Sequence, residues 1–488
     1  MPCGYTAPMS RSEGVLEKAP TGIRGLDEIT GGGLPAGRAT LICGGPGSGK
    51  TLVALSFLVN GVRRFGEPGV LMTFEENADD LACDVASLGF NLPELVASGK
   101  LVVDYVRVER SEIEETGEYD LEGLFVRLEH AVRESGAKRV VLDTIESLFG
   151  GLSKENILRA ELRRLLRWLK DRDLTVVITG ERGRETLTRQ GLEEYVSDAV
   201  ILLDHRVHEE LSTRRLRIVK YRGSHHGTNE YPFLIDRDGL GVLPVTSLGL
   251  DHPAPTERIS SGVEPLDAML GGRGFYRGST VLLSGTAGTG KTTLAASFVN
   301  AACERGERCL YFLLEESPRQ MIRNMRSIGV DLGQWVERGL LQMPADRPSR
   351  FGLESHLAGM YRTIDQVRPQ VVVVDSMTDL LSAGELNSVR AMLVRLIDHL
   401  KMRSVTALLT SLTPADAREP DSNAGVSSLM DAWVLVSLDQ SDGVRQRHLS
   451  VLKARGTAHS NRVYPFTITE QGIRVPVCDA VGRGTAAG

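Results

Sequence analysis

Short apolar runs alternate with longer amphipathic stretches along this chain of 488 residues. In the first half, four apolar runs predict buried strands: Ala39 to Cys43, Gly69 to Phe74, Arg139 to Leu142 and Leu174 to Thr179. Between them lie stretches of helical spacing, as at residues 159–170, where leucines recur every three or four positions beside several arginines. The alternation predicts an α/β fold, a mainly parallel sheet flanked by helices. The arginines predict either a solvated face or a contact with nucleic acid or a neighbouring subunit.

The whole pattern occurs twice, in the same order. Five landmarks recur about 230 to 240 residues apart: Gly22 to Asp27 as Gly262 to Asp267, Leu41 to Thr51 as Leu282 to Thr292, Phe74 to Glu76 as Leu314 to Glu316, Val140 to Asp143 as Val372 to Asp375, and Lys220 to Ser224 as Lys453 to Thr457. The repeat predicts two domains of one kind, at residues 15–246 and 258–477. A proline-rich linker at 247–257 joins them, with tails at 1–14 and 478–488.

Composition narrows the class of protein. The chain has 57 Lys and Arg against 63 Asp and Glu, a formal charge of −6, and 41% of its residues are hydrophobic. No apolar run approaches the roughly 18 residues of a membrane span, and the N-terminus lacks a secretory signal, so we expect a cytoplasmic protein without membrane contact. Its six cysteines have no Cys-x-x-Cys spacing, and the acidic balance argues against a nucleic-acid partner.

Two glycine-rich loops carry the strongest chemical signal. Each half contains one G-x-x-x-x-G-K-[ST] motif that follows a predicted strand and opens a predicted helix, a context that disfavours an ordinary surface turn. Backbone N–H groups of such a loop surround phosphate oxygens, the lysine meets the β- and γ-phosphates, and the threonine offers a hydroxyl to Mg²⁺. The predicted ATP-binding residues are Gly47, Ser48, Gly49, Lys50, Thr51 and Leu52 in the first half, and Gly288, Thr289, Gly290, Lys291, Thr292 and Thr293 in the second.

Acidic residues follow two further strands in each half. Asp143 and Asp375 end apolar strands, where a carboxylate can hold the Mg²⁺ shell of a bound nucleotide or cap the next helix. The pairs Glu75-Glu76 and Glu315-Glu316 are expected at the same sheet edge. One member of each pair would orient or deprotonate the nucleophile, and adjacent like charges favour a raised pKa for one of them. The alternative is that both acids stabilise a helix N-terminus.

A Lys-x-Arg-Gly motif occurs late in each half. Alternation along a strand places the two cations on one face, Lys220 with Arg222 and Lys453 with Arg455. Two cations on one face suit a γ-phosphate, and a neighbouring subunit commonly supplies such an arginine. The protein is then a homo-oligomer. A solvated basic strand is the alternative interpretation.

Together these motifs resemble the KaiC family of ATPases and autokinases, within the RecA superfamily, over residues Val15 to Val477. The resemblance implies two RecA-like P-loop domains and a double-ring homohexamer with ATP between subunits. It implies ATP hydrolysis in the first ring and serine or threonine autophosphorylation in the second. It assigns Mg²⁺ to Thr51, Thr292 and Glu315, with Glu315 also as the base. It adds Ser224 and His226 to the residues that reach the first nucleotide from a neighbouring subunit.

The resemblance also implies phosphoacceptors in the second half. They fall before its last core strand at Ser427 and Ser428, with Ser422 at a third acceptor position. The matching positions of the first half are Glu194 and Tyr195, so only the second half is expected to phosphorylate itself on serine. An unmodified loop or helix cap is the alternative for the serine pair.

Three functions remain open on this basis. Cyanobacterial members of the family carry a C-terminal tail for an activating partner, whereas this chain ends in a short glycine-rich stretch, Gly482 to Gly488. We therefore expect an autokinase and slow ATPase in a simpler timing or signalling system, with Kai-type or signalling proteins as partners, rather than a true circadian clock. The alternatives are a DNA-dependent ATPase of the RecA or helicase type and a nucleotide-gated assembly scaffold.

Overall fold

The computed structural model describes residues 16–106, 122–149, 155–183, 187–188, 197–208, 211–236, 239–244, 252–350, 352–413, 427–441 and 444–475. The positions Glu194, Tyr195 and Ser422 lie outside the described residues, as do both predicted tails and part of the predicted linker. Contacts between Cα atoms divide the chain into two units, residues 1–247 and 248–488.

The first unit is built on a nine-stranded sheet. Its strands are β1 (Lys18–Ala19), β2 (Leu34–Pro35), β3 (Ala39–Gly44), β4 (Gly69–Thr73), β5 (Leu101–Tyr105), β6 (Arg139–Asp143), β7 (Thr175–Glu181), β8 (Ala199–His208), β9 (Leu211–Tyr221), β10 (Glu230–Asp236) and β11 (Gly239–Val242). The order across the sheet is β11-β10-β9-β8-β3-β7-β6-β4-β5, and β1 pairs with β2 outside it. The six strands from β8 to β5 are parallel, and β9, β10 and β11 return antiparallel.

Helices cover this sheet. They are α1 (Leu26–Ile29), α2 (Lys50–Phe65), α3 (Ala78–Ala86), α4 (Leu92–Ala97), α5 (Glu122–Ser135) and α6 (Glu155–Asp171), with a 3₁₀ segment at Ile145–Phe149. The four strands predicted from apolar runs are β3, β4, β6 and β7, with ends within two residues of the prediction. The predicted amphipathic stretch 159–170 lies within α6, and the leucines of that stretch are buried, while Arg164 forms ion pairs with Glu122 and Glu161.

The second unit repeats this plan. Its strands are β12 (Arg258–Ile259), β13 (Phe275–Tyr276), β14 (Thr280–Gly285), β15 (Cys309–Leu313), β16 (Leu341–Gln342), β17 (Val371–Asp375), β18 (Thr406–Leu412), β19 (Ala432–Ser441), β20 (Val444–Ala454), β21 (Tyr464–Thr469) and β22 (Gly472–Arg474). Its helices are α7 (Glu264–Met269), α8 (Lys291–Glu304), α9 (Pro318–Arg326), α10 (Gly333–Glu337), α11 (Leu353–Val367) and α12 (Leu386–Met402), with 3₁₀ segments at Pro348–Arg350, Met377–Ser382 and Ser427–Leu429.

The two sheets match strand for strand. The order β16-β15-β17-β18-β14-β19-β20-β21-β22 in the second unit corresponds to β5-β4-β6-β7-β3-β8-β9-β10-β11 in the first. In both units six parallel strands are followed by three antiparallel strands. The prediction of two tandem RecA-like α/β domains is confirmed.

The central strands β3, β4, β6, β14, β15 and β17 are buried along nearly their whole length, because helices cover both faces of each sheet. Along β3, Ile42 packs into the cluster that contains α2, whereas Leu41 and Cys43 pack into the cluster of α5 and α6. Along β14, Leu283 packs with α8, and Leu282 packs with α11 and α12. Burial on both faces explains why the sequence shows continuous apolar runs here rather than strict alternation.

One buried imidazole couples the packing of α11 and α12 to pH. The ring of His399 stacks on Tyr361, with ring centroids 3.9 Å apart, and its Nδ1 accepts a hydrogen bond from the Arg403 guanidinium at 3.2 Å. Burial and the Arg403 charge lower the pKa of His399 from 6.5 to about 4, against the opposing pull of Asp365. The folded protein therefore keeps this ring neutral at pH values where the unfolded chain binds a proton.

We predict that this difference destabilises the second unit as the pH falls from 6.5 toward 4. In that range His399 binds a proton in the unfolded chain but stays neutral in the folded protein, so protonation favours unfolding. The His399→Gln variant should show a smaller loss of melting temperature between pH 6.5 and pH 5 than the unsubstituted protein. His130→Gln is the matched control, because the His130 side chain is 80% exposed. Parallel pH profiles for all three proteins would contradict the prediction.

Candidate functional site

Each phosphate loop joins a central strand to a buried helix. In the first unit β3 ends at Gly44 and α2 begins at Lys50, and in the second β14 ends at Gly285 and α8 begins at Lys291. The residue before each helix is a glycine with positive φ, 98° at Gly49 and 103° at Gly290. Other residues rarely adopt that conformation, so glycine is needed where the loop turns into the helix. The loop amides and the helix N-terminus then face the same space, which suits an anion.

The loop lysines close over the loops that carry them. Lys50 Nζ donates to the carbonyl oxygens of Gly44 and Gly45, both at 3.1 Å. Lys291 Nζ donates to Gly285 O at 2.9 Å and Thr286 O at 2.8 Å. Burial lowers the pKa of Lys291, and the nearby carboxylates of Asp375 and Glu315 oppose that shift.

The other predicted loop residues form hydrogen bonds within the loops or pack against the core. Ser48 is buried, and its backbone N–H donates to Gly45 O at 3.3 Å. In the second unit, Thr289 Oγ1 donates to Thr286 O at 2.8 Å. Leu52 packs at the margin of the core, and Thr293 is buried.

Asp143 lies beside the first loop at the end of β6. The hydroxyls of Thr179 and Thr51 both donate to its carboxylate and lower its pKa, but burial dominates and the net effect is a raised pKa. Thr51 is the loop residue predicted to bind Mg²⁺, so a hydroxyl and a carboxylate meet where the motif requires them.

Asp375 occupies the same place at the end of β17. It accepts hydrogen bonds from the Thr410 hydroxyl on one oxygen and from the Tyr311 hydroxyl on the other, the latter at 2.9 Å.

The acid pairs lie at the same sheet edge, and the two units treat them differently. Glu75 accepts hydrogen bonds from Thr144 Oγ1 at 3.0 Å and Ser147 Oγ at 2.9 Å. Burial, then Asp84, Asp143 and Glu75, raise the pKa of Glu76.

In the second unit the first member of the pair has the raised pKa. Burial and a hydrogen bond with Asp379, together with the charges of Asp379, Asp375 and Glu316, raise the pKa of Glu315 to about 7. Asp379 stands where the first unit has Ser147, four positions after the strand-ending aspartate in both. Glu75 therefore has a neutral hydroxyl, that of Ser147, as a hydrogen-bond donor. Glu315 instead faces the carboxyl group of Asp379, and a hydrogen bond between two carboxyl groups requires that one of them holds a proton.

The Lys-x-Arg cations lie at the other end of the strands, opposite the end that carries the phosphate loop. Because β9 runs antiparallel to β8, its end at Lys220 and Tyr221 pairs with the start of β8. Lys220 Nζ donates to Ser197 O at 2.7 Å, and the Arg222 backbone N–H donates to Asp198 O at 3.0 Å. Asp198 in turn bonds to Ala39, the first residue of β3. The length of β3, about 16 Å at 3.3 Å per residue, therefore separates these cations from the loop of their own unit.

Ser224 and His226, the two further residues predicted to reach the nucleotide of a neighbour, follow Arg222 at this end of the first unit. Ser224 Oγ donates to His225 O at 3.1 Å, and the His226 ring stacks on Tyr221 with centroids 5.9 Å apart. Neither is brought to the first phosphate loop of its own chain.

The predicted phosphoacceptors lie with the cations of the second unit. Lys453 Nζ donates to Ser427 O at 3.0 Å, and Arg455 Nη2 donates to Ser428 O at 2.8 Å. Ser428 is exposed and Ser427 is half-buried. Burial and the Arg455 charge lower the pKa of Lys453. This group is joined to the start of β14 because the Asp431 backbone N–H donates to Thr280 O at 2.9 Å.

Sequence reasoning missed an arginine at the second phosphate loop. Arg447 Nε and Nη2 each lie 3.3 Å from Gly288 O and donate to it. Arg214 holds the matching position on β9, since both arginines come six residues before the lysine of the Lys-x-Arg motif. That recurrence is the signal that could have identified Arg447.

The donor set fits a metal held partly by a nucleotide. Among the described residues, no group of three or more His, Cys, Asp or Glu side chains could hold a metal ion. A threonine hydroxyl beside a single aspartate matches Mg²⁺, which proteins commonly bind through one or two side chains while phosphate oxygens and water complete the shell.

Comparison with known proteins decides the family. A family model described as "ATPase: KaiC" matches residues 19–247 and 259–478. The chain belongs to the KaiC family. It is 54% identical over 460 residues to the circadian clock protein KaiC2 of Synechocystis sp., a match that covers 94% of this chain and 81% of the relative.

More distant KaiC proteins align over nearly the whole chain as well. The circadian clock protein KaiC3 of Synechocystis sp. is 38% identical over 467 residues, which are 94% of this chain and 92% of the relative. The circadian clock oscillator protein KaiC of Thermosynechococcus vestitus is 35% identical over 478 residues, which are 97% and 92%. The KaiC assignment makes this chain a member of an ATPase family. Separately, no described helix combines the length and apolarity needed to cross a membrane.

We predict two independent nucleotide sites per chain, because each loop lysine donates hydrogen bonds to carbonyl oxygens of its own loop. Equilibrium dialysis with ATP and Mg²⁺ should give two bound nucleotides for the unsubstituted chain. Lys50→Ala and Lys291→Ala should each retain one, and the double variant none. Lys170→Ala on the exposed face of α6 is the control and should retain two. A single variant that still binds two nucleotides would contradict the assignment of its loop.

Proposed function

We propose that the first unit hydrolyses ATP and that the second transfers the γ-phosphate of ATP to Ser427 or Ser428 of a neighbouring chain. The assembly is a homohexameric ring that acts in the cytoplasm, in timing or signalling. The observation that carries this proposal is the position of the serine pair, bound to Lys453 and Arg455 at the sheet edge opposite the phosphate loop of the same unit.

The strand length makes transfer within one unit difficult. A phosphate held by the loop after Gly285 lies beyond the end of β14, whereas the serines lie before its start. If a second chain places its Ser427 and Ser428 against this loop, the acceptor hydroxyls and the γ-phosphate are no longer separated by the length of a strand. That chain delivers two cations and two acceptor hydroxyls together, which is the arrangement that phosphoryl transfer requires around a γ-phosphate.

In the second unit, Glu315 supports proton transfer from the acceptor. A pKa of about 7 leaves a substantial fraction of this carboxylate ionised at neutral pH. The carboxylate takes the hydroxyl proton of the serine while the serine oxygen forms a bond to the γ-phosphorus. The bond from that phosphorus to the bridging oxygen breaks, and ADP leaves with the electron pair.

In the first unit, the acid pair supports attack by water. Two hydroxyl donors fix the orientation of Glu75, and Glu76 lies next to it with a raised pKa. One carboxylate holds the water and the pair accepts its proton as the oxygen bonds to the γ-phosphorus, with ADP as the leaving group. Mg²⁺ bound beside Thr51 and Asp143 supplies charge neutralisation on the phosphates, and Thr292 and Asp375 are its candidate ligands in the second unit.

The two alternatives make different predictions. A DNA-dependent ATPase requires phosphate release to rise with single-stranded DNA and to fall steeply with salt. An assembly scaffold requires ATP to change the particle mass while phosphate release stays at background. The acidic net charge of −6 and the acid pairs beside both loops favour the ATPase and autokinase over both.

We predict that Ser427→Ala/Ser428→Ala abolishes covalent labelling by γ-labelled ATP, because the double variant removes both acceptor hydroxyls and leaves both loops intact. Ser388→Ala is the control, since Ser388 is an exposed serine of α12 in the same unit. Autoradiography with phosphosite mapping provides the measurement. Equal labelling of the double variant and the control would show that the acceptors lie elsewhere.

A further inference from the structure

Tyr311 is a buried polar side chain of the second unit that the proposed transfer does not use. It lies on β15, where it pairs with Val373 of the neighbouring parallel strand β17. Residues two apart on a strand share a face, so Asp375 is the diagonal neighbour of Tyr311, within reach of an aromatic side chain. The Tyr311 hydroxyl donates to Asp375 Oδ2 at 2.9 Å.

The strand on the other side of β17 provides the second donor. Thr410 of β18 donates its hydroxyl to Asp375 Oδ1. Each carboxylate oxygen thus has one hydroxyl donor, and the two donors come from the strands on either side. A carboxylate bound from both sides has a single preferred orientation.

Tyr311 can act only as a donor here. Its side chain is 0% exposed, and its hydroxyl faces a carboxylate oxygen, which when ionised can only accept a hydrogen bond. A buried hydroxyl without a partner would be costly, and Asp375 removes that cost.

The first unit lacks this contact. Leu71 occupies the position of Tyr311, since it is the third residue of β4 and pairs with Val141 of β6. The carboxylate of Asp143 instead accepts hydrogen bonds from Thr179 and from Thr51 of the phosphate loop. Both aspartates thus accept a hydrogen bond from an equivalent threonine of the sheet, Thr179 or Thr410. They differ in the second donor, which comes from the phosphate loop in the first unit and from Tyr311 of the sheet in the second.

We propose that Tyr311 is a positioning residue that orients Asp375 for the Mg²⁺–nucleotide of the second site. This inference rests on the proposed nucleotide site and not on phosphoryl transfer. Without the Tyr311 hydroxyl, Asp375 keeps the Thr410 donor alone, and its carboxylate can rotate away from the loop. Binding of the Mg²⁺–nucleotide must then fix the orientation of that carboxylate, which weakens binding. The net contribution of an ordinary intramolecular hydrogen bond corresponds to a rise of about three- to tenfold in the Mg²⁺ concentration needed for half-maximal nucleotide binding.

The test measures binding rather than turnover. The full chain with Lys50→Ala confines nucleotide binding to the second site, and a fluorescent ATP analogue is titrated with Mg²⁺. Adding Tyr311→Phe should raise the half-saturating Mg²⁺ concentration about three- to tenfold. Tyr361→Phe is the matched control, because it deletes the hydroxyl of another, half-buried tyrosine of this unit, one that donates to Arg395 O at 2.9 Å. This control should stay within about twofold of the parent.

A folding defect is separated from loss of positioning by melting temperatures. Without nucleotide, Tyr311→Phe and Tyr361→Phe should melt at similar temperatures, and only Tyr311→Phe should need more Mg²⁺ for the stabilisation that ATP gives. Identical Mg²⁺ dependence in the two variants would overturn the proposal, as would the absence of Mg²⁺-dependent binding in the Lys50→Ala parent. Failure of serine labelling in the unsubstituted protein would reject the proposed transfer and leave the binding result to decide the role of Tyr311.

Discussion

The length of a parallel strand separates two groups of charged side chains in each unit. The phosphate loop, the strand-ending aspartate and the acid pair follow the carboxyl ends of β3, β6 and β4, or of β14, β17 and β15. The antiparallel return of the next strand places Lys220 or Lys453 at the other edge. Neither group can be moved without breaking the hydrogen-bond register of the sheet. The geometry of the site and the proposed role of a second chain both follow from this separation.

Duplication kept this framework and changed the side chains at the loop edge. The two sheets have the same strand order, and both loops have the same glycine conformation before the helix. At equivalent positions, Ser147 is replaced by Asp379 and Leu71 by Tyr311. A neutral donor beside Glu75 and an acidic partner beside Glu315 give the acid pairs different protonation behaviour without any change in the fold. We interpret these differences as the physical basis for the proposed hydrolysis in one unit and the proposed transfer to serine in the other.

Much of the framework could be predicted from the sequence because its signals are local. Apolar runs gave β3, β4, β6 and β7, and the loop motifs predicted where a strand meets a helix. The prediction that one acid of each pair has a raised pKa agrees with Glu76 and Glu315, but which member it would be depends on neighbours from other elements. The contacts of Asp379 and Tyr311 join residues far apart in the chain. They depend on strand register and side-chain direction, which composition and spacing do not encode.

Transfer between chains is the central claim, and mixed assemblies test it most directly. One full-length chain carries Lys291→Ala, so its acceptors are intact but its second loop is disabled. The other carries Ser427→Ala/Ser428→Ala, with an intact loop and no acceptors. The two are co-expressed with distinguishable tags and supplied with γ-labelled ATP. The account predicts no label on either chain alone and label on the Lys291→Ala chain in the mixed assembly. Mixed assemblies that stay unlabelled, under conditions where the unsubstituted protein labels itself, would contradict it.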